Sequence, residues 1–394
     1  MAMTDVSSRR EQLTFAVVES TFATLVVPSA ANGIYVTDAV DHSFDPEVIE
    51  DAQIRDGMSK TAPFQGRCMP GKWNVKAYLK PSGVATTSPE LDLLIECAMG
   101  AVSAVGGSNR VRYLLGNTFQ SFSLWRKIGH TVYQMAGCIV QSMVLRFNGT
   151  ELASCEFSGE FARRYVAGYT SAPTGGIASG ATAFQAPSGQ SKRFTAGAYI
   201  QLGSDTCTGA GYRVVAITPA SDSITFTPAA VAGCTGSAVV RGYYPATATE
   251  VGDPVHGKLG TAILDGINFK ILTGSVTVTT GLKMYTDEKN NSLYVDEFGA
   301  PVKRDVAVEM TAYHYKDYTK LHYAVDQASQ LGLVLPAGNS SPNIVTALIP
   351  LVVIEGDPIP TGAEEQVITV RGRGYASASL NDELVIVFGT TGDA

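Results

Sequence analysis

The stretch Lys72-Trp-Asn-Val-Lys-Ala-Tyr-Leu79 decides the fold class. Trp73, Val75, Ala77 and Leu79 fall on one face, and Lys72, Asn74 and Lys76 on the other. Side chains alternate along a strand, so this is a strand with one face buried and one wet. Leu152–Arg163 repeats the pattern, with Cys155, Phe157 and Phe161 against Ser154, Glu156, Ser158 and Glu160. Ser275–Thr279 alternates too, and Val306–His314 does so more loosely through Val306, Val308, Met310 and Ala312. Half-buried antiparallel strands leave this signature. The chain therefore reads as mainly β.

Two helices interrupt the strands. Ser88-Pro-Glu-Leu-Asp-Leu-Leu-Ile-Glu-Cys-Ala-Met-Gly100 offers an N-cap serine, proline at the first helical position and a glycine for the left-handed cap. From about Asp317 to Gln330, Leu321, Ala324, Val325 and Ala328 follow helical spacing. Between about Gly168 and Pro245 charge nearly vanishes and Gly, Ala, Thr and Ser dominate. Four short strand patterns there, opening at Ala198, Tyr212, Ser223 and Ser237, suggest a small inserted β-domain. The flanks share an element order of strand, helix, apolar strand and alternating strand. In the first flank the last two are Gly137–Phe147 and Glu151–Arg164; in the second, Asn343–Ile354 and Glu365–Gly374. A diverged duplication explains this order, and the expected domains are residues 1–167, 168–245 and 246–394.

Composition narrows the function. The chain has 394 residues, 45% of them hydrophobic and 16% charged, where about a quarter is usual for charge. Low charge with ample apolar residues suits a protein that buries much of its surface in assembly. The net charge is −7, whereas a protein built to grip nucleic acid is normally basic. Residues 1–12 lack the apolar core of a secretory signal, so synthesis in the cytosol is expected. No apolar run is long enough to span a membrane as a helix; Asn343–Glu355 is too short and carries Pro350.

No catalytic signature emerges. There is no G-x-S-x-G elbow, H-E-x-x-H, P-loop or dinucleotide-binding glycine pattern. His314 and His322 are neighbours in sequence, but packing or surface roles suit them better than metal ligation. The adjacent carboxylates Asp296-Glu297 and Glu364-Glu365 point to opposite faces on a strand and make no acid–base pair. Six cysteines show no zinc spacing. They read as buried thiols, except that Cys207 and Cys234 sit in similar Gly/Thr turns and could meet. No cofactor is expected, and no enzyme.

One segment concentrates charge: the connector Asp38–Gly71. Loops this long are usually functional or disordered. Interspersed Val48, Ile49, Ile54, Met58 and Phe64 give it anchors, so it reads as an arm that docks on a neighbouring subunit.

With that arm in place the chain resembles the tail tube proteins of long-tailed (siphovirus-like) bacteriophages. The resemblance rests on the order of several segments: the charged connector ending in Gly71–Leu79, the helix opening at Ser88, Phe122-Ser-Leu-Trp-Arg-Lys-Ile-Gly129, Gly137–Leu145 and Leu380–Gly389. It spans most of residues 10–390 apart from the insert. It implies two tandem β-sandwich/barrel domains of tail-tube type, each with a flanking α-helix. Rings of such domains stack into a hollow tube around a tape-measure protein, and DNA later passes through it. A duplicated chain implies trimers with pseudo-sixfold symmetry, with hexamers as the alternative. Tail terminator and distal tail proteins would sit at the tube's ends, and the protein would be found in the virion after assembly in the host cytoplasm.

Two sets of residues follow from this. Asp45, Glu47, Ile49, Ile54, Arg55 and Phe64 are the expected inter-ring contacts. Ser154, Glu156, Ser158 and Glu160 are the expected lumen face, with Thr369 and Arg371 as their counterparts. Carboxylates would keep DNA from sticking, yet Arg371 and Arg373 break the acidic pattern. The alternatives are a terminator or distal tail ring protein, or a carbohydrate-binding β-sandwich adhesin. The adhesin would use Tyr313, Tyr315, Tyr318 and Tyr323, although a packed cluster suits these tyrosines better.

Overall fold

The alternation at residues 72–79 forms a strand whose burial follows the sequence residue by residue. A computed structural model describes residues 13–38, 41–49, 63–84, 86–101, 104–106, 110–171, 173, 175–207, 209–233, 238–246, 250–257, 260–285, 294–300, 302–313, 319–356, 358–359, 361, 366–376 and 383–389. The fold is mainly β, with large antiparallel sheets and two α-helices among the described residues.

The N-terminal elements are β1 (Leu13–Val18), β2 (Gly33–Ile34), β3 (Asp41–Ser43), β4 (Pro46–Ile49), β5 (Phe64–Cys68), β6 (Gly71–Tyr78), α1 (Asp92–Met99), β7 (Ala104–Gly106), β8 (Arg110–Leu114), β9 (Phe122–Ile128), β10 (Thr131–Arg146), β11 (Ser154–Phe161) and β12 (Arg163–Ala167). A middle group follows: β13 (Tyr169–Thr170), β14 (Ala183–Gln185), β15 (Tyr199–Leu202), β16 (Tyr212–Thr218), β17 (Ser223–Thr227) and β18 (Val240–Gly242). The C-terminal elements are β19 (Ala262–Leu264), β20 (Ile267–Phe269), β21 (Ile271–Thr279), β22 (Lys283–Tyr285), β23 (Glu297–Gly299), β24 (Asp305–Tyr313), α2 (Thr319–Asp326), β25 (Leu331–Ser340), β26 (Asn343–Ile354), β27 (Val367–Tyr375) and β28 (Val385–Phe388).

One set of pairings occurs twice. The N-terminal elements pair β1–β2, β1–β9, β9–β10, β10–β12, β10–β11, β11–β6, β6–β3 and β4–β5. The C-terminal elements pair β19–β20, β19–β25, β25–β26, β26–β28, β26–β27, β27–β24, β24–β21 and β22–β23. Each C-terminal pair matches an N-terminal one in chain order, and each helix follows the matching strand, β6 or β24. The hairpin β7–β8 has no counterpart, and β8 pairs across to β28. The two sets join where Ser142–Arg146 of β10 meets Ser275–Thr279 of β21. The result is one sheet in the order β3-β6-β11-β10-β21-β24-β27-β26. Among the described residues no pairing joins its ends, β3 and β26, to each other.

β10 can serve two sheets because it bends. Its first half pairs with β9 and β12, its second with β11 and β21. Gly137 sits at the bend with φ +69°, where a Cβ would lie 2.8 Å from that of Ala162. Glu19 locks the bend. Its carboxylate accepts from Gly137 N–H at 2.8 Å, Ala23 N–H at 3.1 Å, Ser121 Oγ at 2.9 Å and Ser123 Oγ at 2.7 Å. Burial pushes its pKa up while these bonds pull it down.

A single apolar cluster runs through both sets, from Trp73, Phe157 and Leu145 to Val308, Ile349 and Val370. Leu94, Ile95, Ala98 and Met99 of α1 are fully buried in it, and Leu321 and Ala324 of α2 are buried too. Both helices are shorter than their patterns. α1 starts at Asp92, because Ser88-Pro-Glu-Leu91 forms a turn with Asp92 N–H bonded to Pro89 O at 3.1 Å. Its end is as expected, with Gly100 left-handed at φ 68°. α2 stops at Asp326, and Ala328 turns to φ 47° just beyond.

The middle group forms its own six-stranded sheet, β13-β18-β15-β16-β17-β14, around Ile177, Phe184, Phe194, Ile200, Tyr212, Val214, Ile224 and Phe226. The four patterns read from sequence are β15–β18. The flanking β13 and β14 are only two and three residues long and give no periodicity to read. This module seats on β9 and β10. Buried Gln134 donates to Tyr199 O at 2.9 Å and accepts from Tyr199 N–H at 2.8 Å, as a ladder residue would. Trp125 packs against Tyr199 and Tyr243.

Candidate assembly surfaces

Antiparallel partners directly opposite each other point to the same face, so the registers assemble one polar face across the joined sheet. β11 contributes Glu156, Ser158 and Glu160, all half-buried, while Phe157 and Phe161 face the core as expected. Ser154 lies at the start of this row but is buried, at 8% exposure. Thr369, Arg371 and Arg373 of β27 are exposed on the same face as the β11 row.

Charge on this face is matched across strands. The carboxylates are Asp41, Glu156, Glu160, Asp305, Glu309 and Glu355; the cations are Lys72, Lys76, Arg146, Arg371 and Arg373, six against five. Arg146 pairs with Glu156 at 3.3 Å, Arg371 with Glu309 at 3.3 Å, and Arg373 with Asp305 at 3.3 Å and Glu355 at 2.7 Å. Asn74 donates to Glu156 at 3.0 Å, and this bond with the Arg146 contact holds the Glu156 carboxyl below its usual range. Glu160 accepts from Gln141 at 3.0 Å, yet burial raises its pKa. The acidic face expected from β11 alone is thus a mixed one, and the two arginines that broke the pattern are neutralised by β24.

The two halves invert the charges. Gly159 and Gly372 anchor the alignment, since each lets its strand lie close on the long strand beside it: a Cβ would come 1.9 Å from Ile139 O or 2.9 Å from Val353 O. Glu160 then falls on Arg373, and on the paired strands Ala77-Tyr78 falls on Ala312-Tyr313. Lys72 lies opposite Glu160 in the first half, whereas Glu309 lies opposite Arg371 in the second. Sequence alone hid this, because the partners lie far apart in the chain.

The connector forms a hairpin. β4 and β5 pair through Val48↔Gln65 and Ile49↔Phe64, outside the main sheet. Asp45 and Glu47 are exposed, as are Val48 at 59% and Ile49 at 51%. Phe64 is placed on β5 by its backbone; Ile54 and Arg55 lie outside the described residues.

Other sequence candidates do not converge. His314, Tyr315, Tyr318 and Cys234 lie outside the described residues. His322 is half-buried on α2. Tyr323 is 67% exposed, so it is not part of a packed tyrosine cluster. Cys97, Cys138 and Cys155 are fully buried, and burial pushes their thiol pKa values up. Among the described residues no group of His, Cys, Asp and Glu could hold a metal ion, and no helix is long and apolar enough to cross a membrane. One buried polar contact went unread: the Arg126 guanidinium lies 3.1 Å from Nδ1 of His42, on the core side of β3. Burial, then Arg126, lowers the His42 pKa to about 4.

A scan against protein-family models finds no match, and a search of curated proteins finds none either.

Proposed function

We propose that the protein is the structural subunit of a phage-type tail tube, with no enzymatic role. Two tandem tail-tube-type domains, residues 1–167 and 246–394, flank a small β-domain at 168–245. Copies join into rings, and the rings stack into a hollow conduit. The observation that carries this reading is the doubled set of pairings on one polar-faced sheet, whose two ends are not paired to each other among the described residues. The β10–β21 joint links the two halves edge to edge. A comparable joint between the β26 end of one copy and β3 of the next is head-to-tail, and such contacts close into rings when the rotation allows. Closure also removes the open edges that invite aggregation.

The polar face then lines the lumen and meets the tape-measure protein and the passing DNA. Its matched charges suit that task. A cation already paired with a carboxylate releases no counterion from DNA, so the duplex slides without being gripped. Duplication makes the favoured ring a trimer of six similar domains, with terminator and distal tail proteins at the tube's ends. The module seats on β9 and β10, in the pairings away from the polar face, and so decorates the outer wall.

Negative-stain electron microscopy of the purified protein tests this. Stacked hollow rings with a six-lobed wall and three protrusions are expected. Six protrusions would keep the tube but remove the duplication argument. Single rings that never stack would favour a terminator or distal tail role. Monomers at every concentration would refute the assembly reading.

A further inference from the structure

The hairpin of the second half is already docked. Phe298 of β23 packs on Phe22 with ring centroids 5.1 Å apart. Met284 of β22 joins Ala23 and Ala162 in one apolar cluster, and the Arg163 guanidinium lies 5.2 Å over the Tyr294 ring. The arm of the second half thus covers the β11–β12 corner of the first, and Ala162 there is fully buried. The arm of the first half, β4–β5, holds the same place in the chain order, between β3 and β6, but shows Val48 and Ile49 to solvent. At the corner of the second half, residues 377–382 lie outside the described residues, but Tyr375 before them is described. In the alignment through Gly159 and Gly372, Ala162 falls on Tyr375, which is 48% exposed. Among the described residues, one chain therefore shows one filled arm-and-corner contact, one arm with exposed apolar residues and one corner with an exposed tyrosine.

We propose that the β4–β5 arm of one copy docks on the Tyr375 corner of its lateral neighbour in the same ring. The proposal rests on the ring reading above and adds the partner surface. The occupant is a second copy, because the same contact is already made inside this chain. The β4–β5 arm and the Tyr375 corner lie at opposite ends of the joined sheet, the arrangement of a head-to-tail interface. Burying exposed Val48 and Ile49 supplies the apolar driving force. In this arrangement the arm clamps ring neighbours rather than only bridging stacked rings.

The test uses the full chain with the photo-crosslinker p-benzoylphenylalanine placed at position 48. Isotopically labelled and unlabelled copies are mixed before assembly, so that cross-links between copies carry mixed masses. The sample is checked for rings by electron microscopy, irradiated, digested and read by mass spectrometry. Mixed-mass cross-links from position 48 to the peptide containing Tyr375 are expected, and Tyr375→Asp should raise the concentration needed for assembly at least tenfold. Rings whose cross-links fall elsewhere, or whose assembly is unchanged by Tyr375→Asp, overturn the docking proposal and leave the ring reading standing. A sample with neither rings nor mixed-mass cross-links overturns both.

Discussion

Replacing Glu19 by glutamine tests whether one buried carboxylate holds the bend through which β10 serves two sheets. Each carboxylate oxygen accepts one serine hydroxyl and one backbone N–H: Ser123 and Gly137 on Oε1, Ser121 and Ala23 on Oε2. A glutamine side chain has one oxygen and one NH2. Whichever way it turns, the NH2 faces a backbone N–H that cannot rotate, either Gly137 or Ala23. A serine hydroxyl can turn round; a peptide cannot. The variant loses one hydrogen bond to a charged group, about 1.5–3 kcal/mol, and leaves a buried donor without a partner at a further cost of about 1–3 kcal/mol.

Relief of desolvation offsets part of this. Burial raises the folded-state pKa of Glu19, so the group favours folding most below its unfolded pKa and loses that contribution as pH rises through the folded value. At pH 7 the wild type therefore already carries a desolvation penalty that glutamine escapes. The net expectation is a loss of about 2–4 kcal/mol at pH 7. Urea denaturation reports it through Trp73 and Trp125, both buried, with the midpoint compared at equal slope. A glutamine variant within about 0.5 kcal/mol of wild type would refute the claim that these donors need a carboxylate.

Gly159→Ala should prevent soluble folding or cost more than about 3 kcal/mol, since its Cβ would lie 1.9 Å from Ile139 O. Gly274→Ala, whose nearest neighbours lie 3.7 Å away, should shift the melting temperature only slightly, and equal effects at the two sites would contradict the strand packing. The lowered His42 pKa means stability present above pH 6.5 and lost toward about pH 4, by at most about 3 kcal/mol and less after solvent screening. A His42→Gln variant should show a flatter melting temperature over that range, and an unchanged slope would count against the Arg126 contact. Removing Asp305, Glu309 and Glu355 as Asn, Gln and Gln leaves Arg371 and Arg373 without their carboxylates. The triple variant should bind duplex DNA, with affinity falling about tenfold between about 50 and 200 mM salt, while the parent binds none. Equal binding by the two proteins would refute charge matching.

Strand positions were legible wherever one face is buried. Trp73-x-Val75-x-Ala77 and Cys155-x-Phe157 write their burial directly into the sequence. Register was not, because it depends on contacts between residues far apart, such as Arg371 with Glu309. That is why the face of β27 looked wrongly charged when read alone. β13 and β14 are too short for a period, and the Ser88-Pro turn carries the residue types of a helix start without being one. The doubled set of pairings showed in the sequence as a repeated order of elements; the matching strand pairs β4–β5 and β22–β23 did not, because their sequences share no visible pattern.

The module's own entry and exit strands pair with each other, Tyr169 opposite Arg241. Antiparallel partners lie about 5 Å apart, so the backbone leaves the joined sheet and returns to it at almost one point. Among the described residues, the surface the module seats on is made by Trp125, Val132 and Gln134 together with Tyr165, Val166 and Ala167 of β12. The site between the two halves is therefore a socket: a folded unit with closely spaced ends can be exchanged there while the strands of the joined sheet keep their connections. Such a molecule can change what the module displays without changing the polar face of the joined sheet.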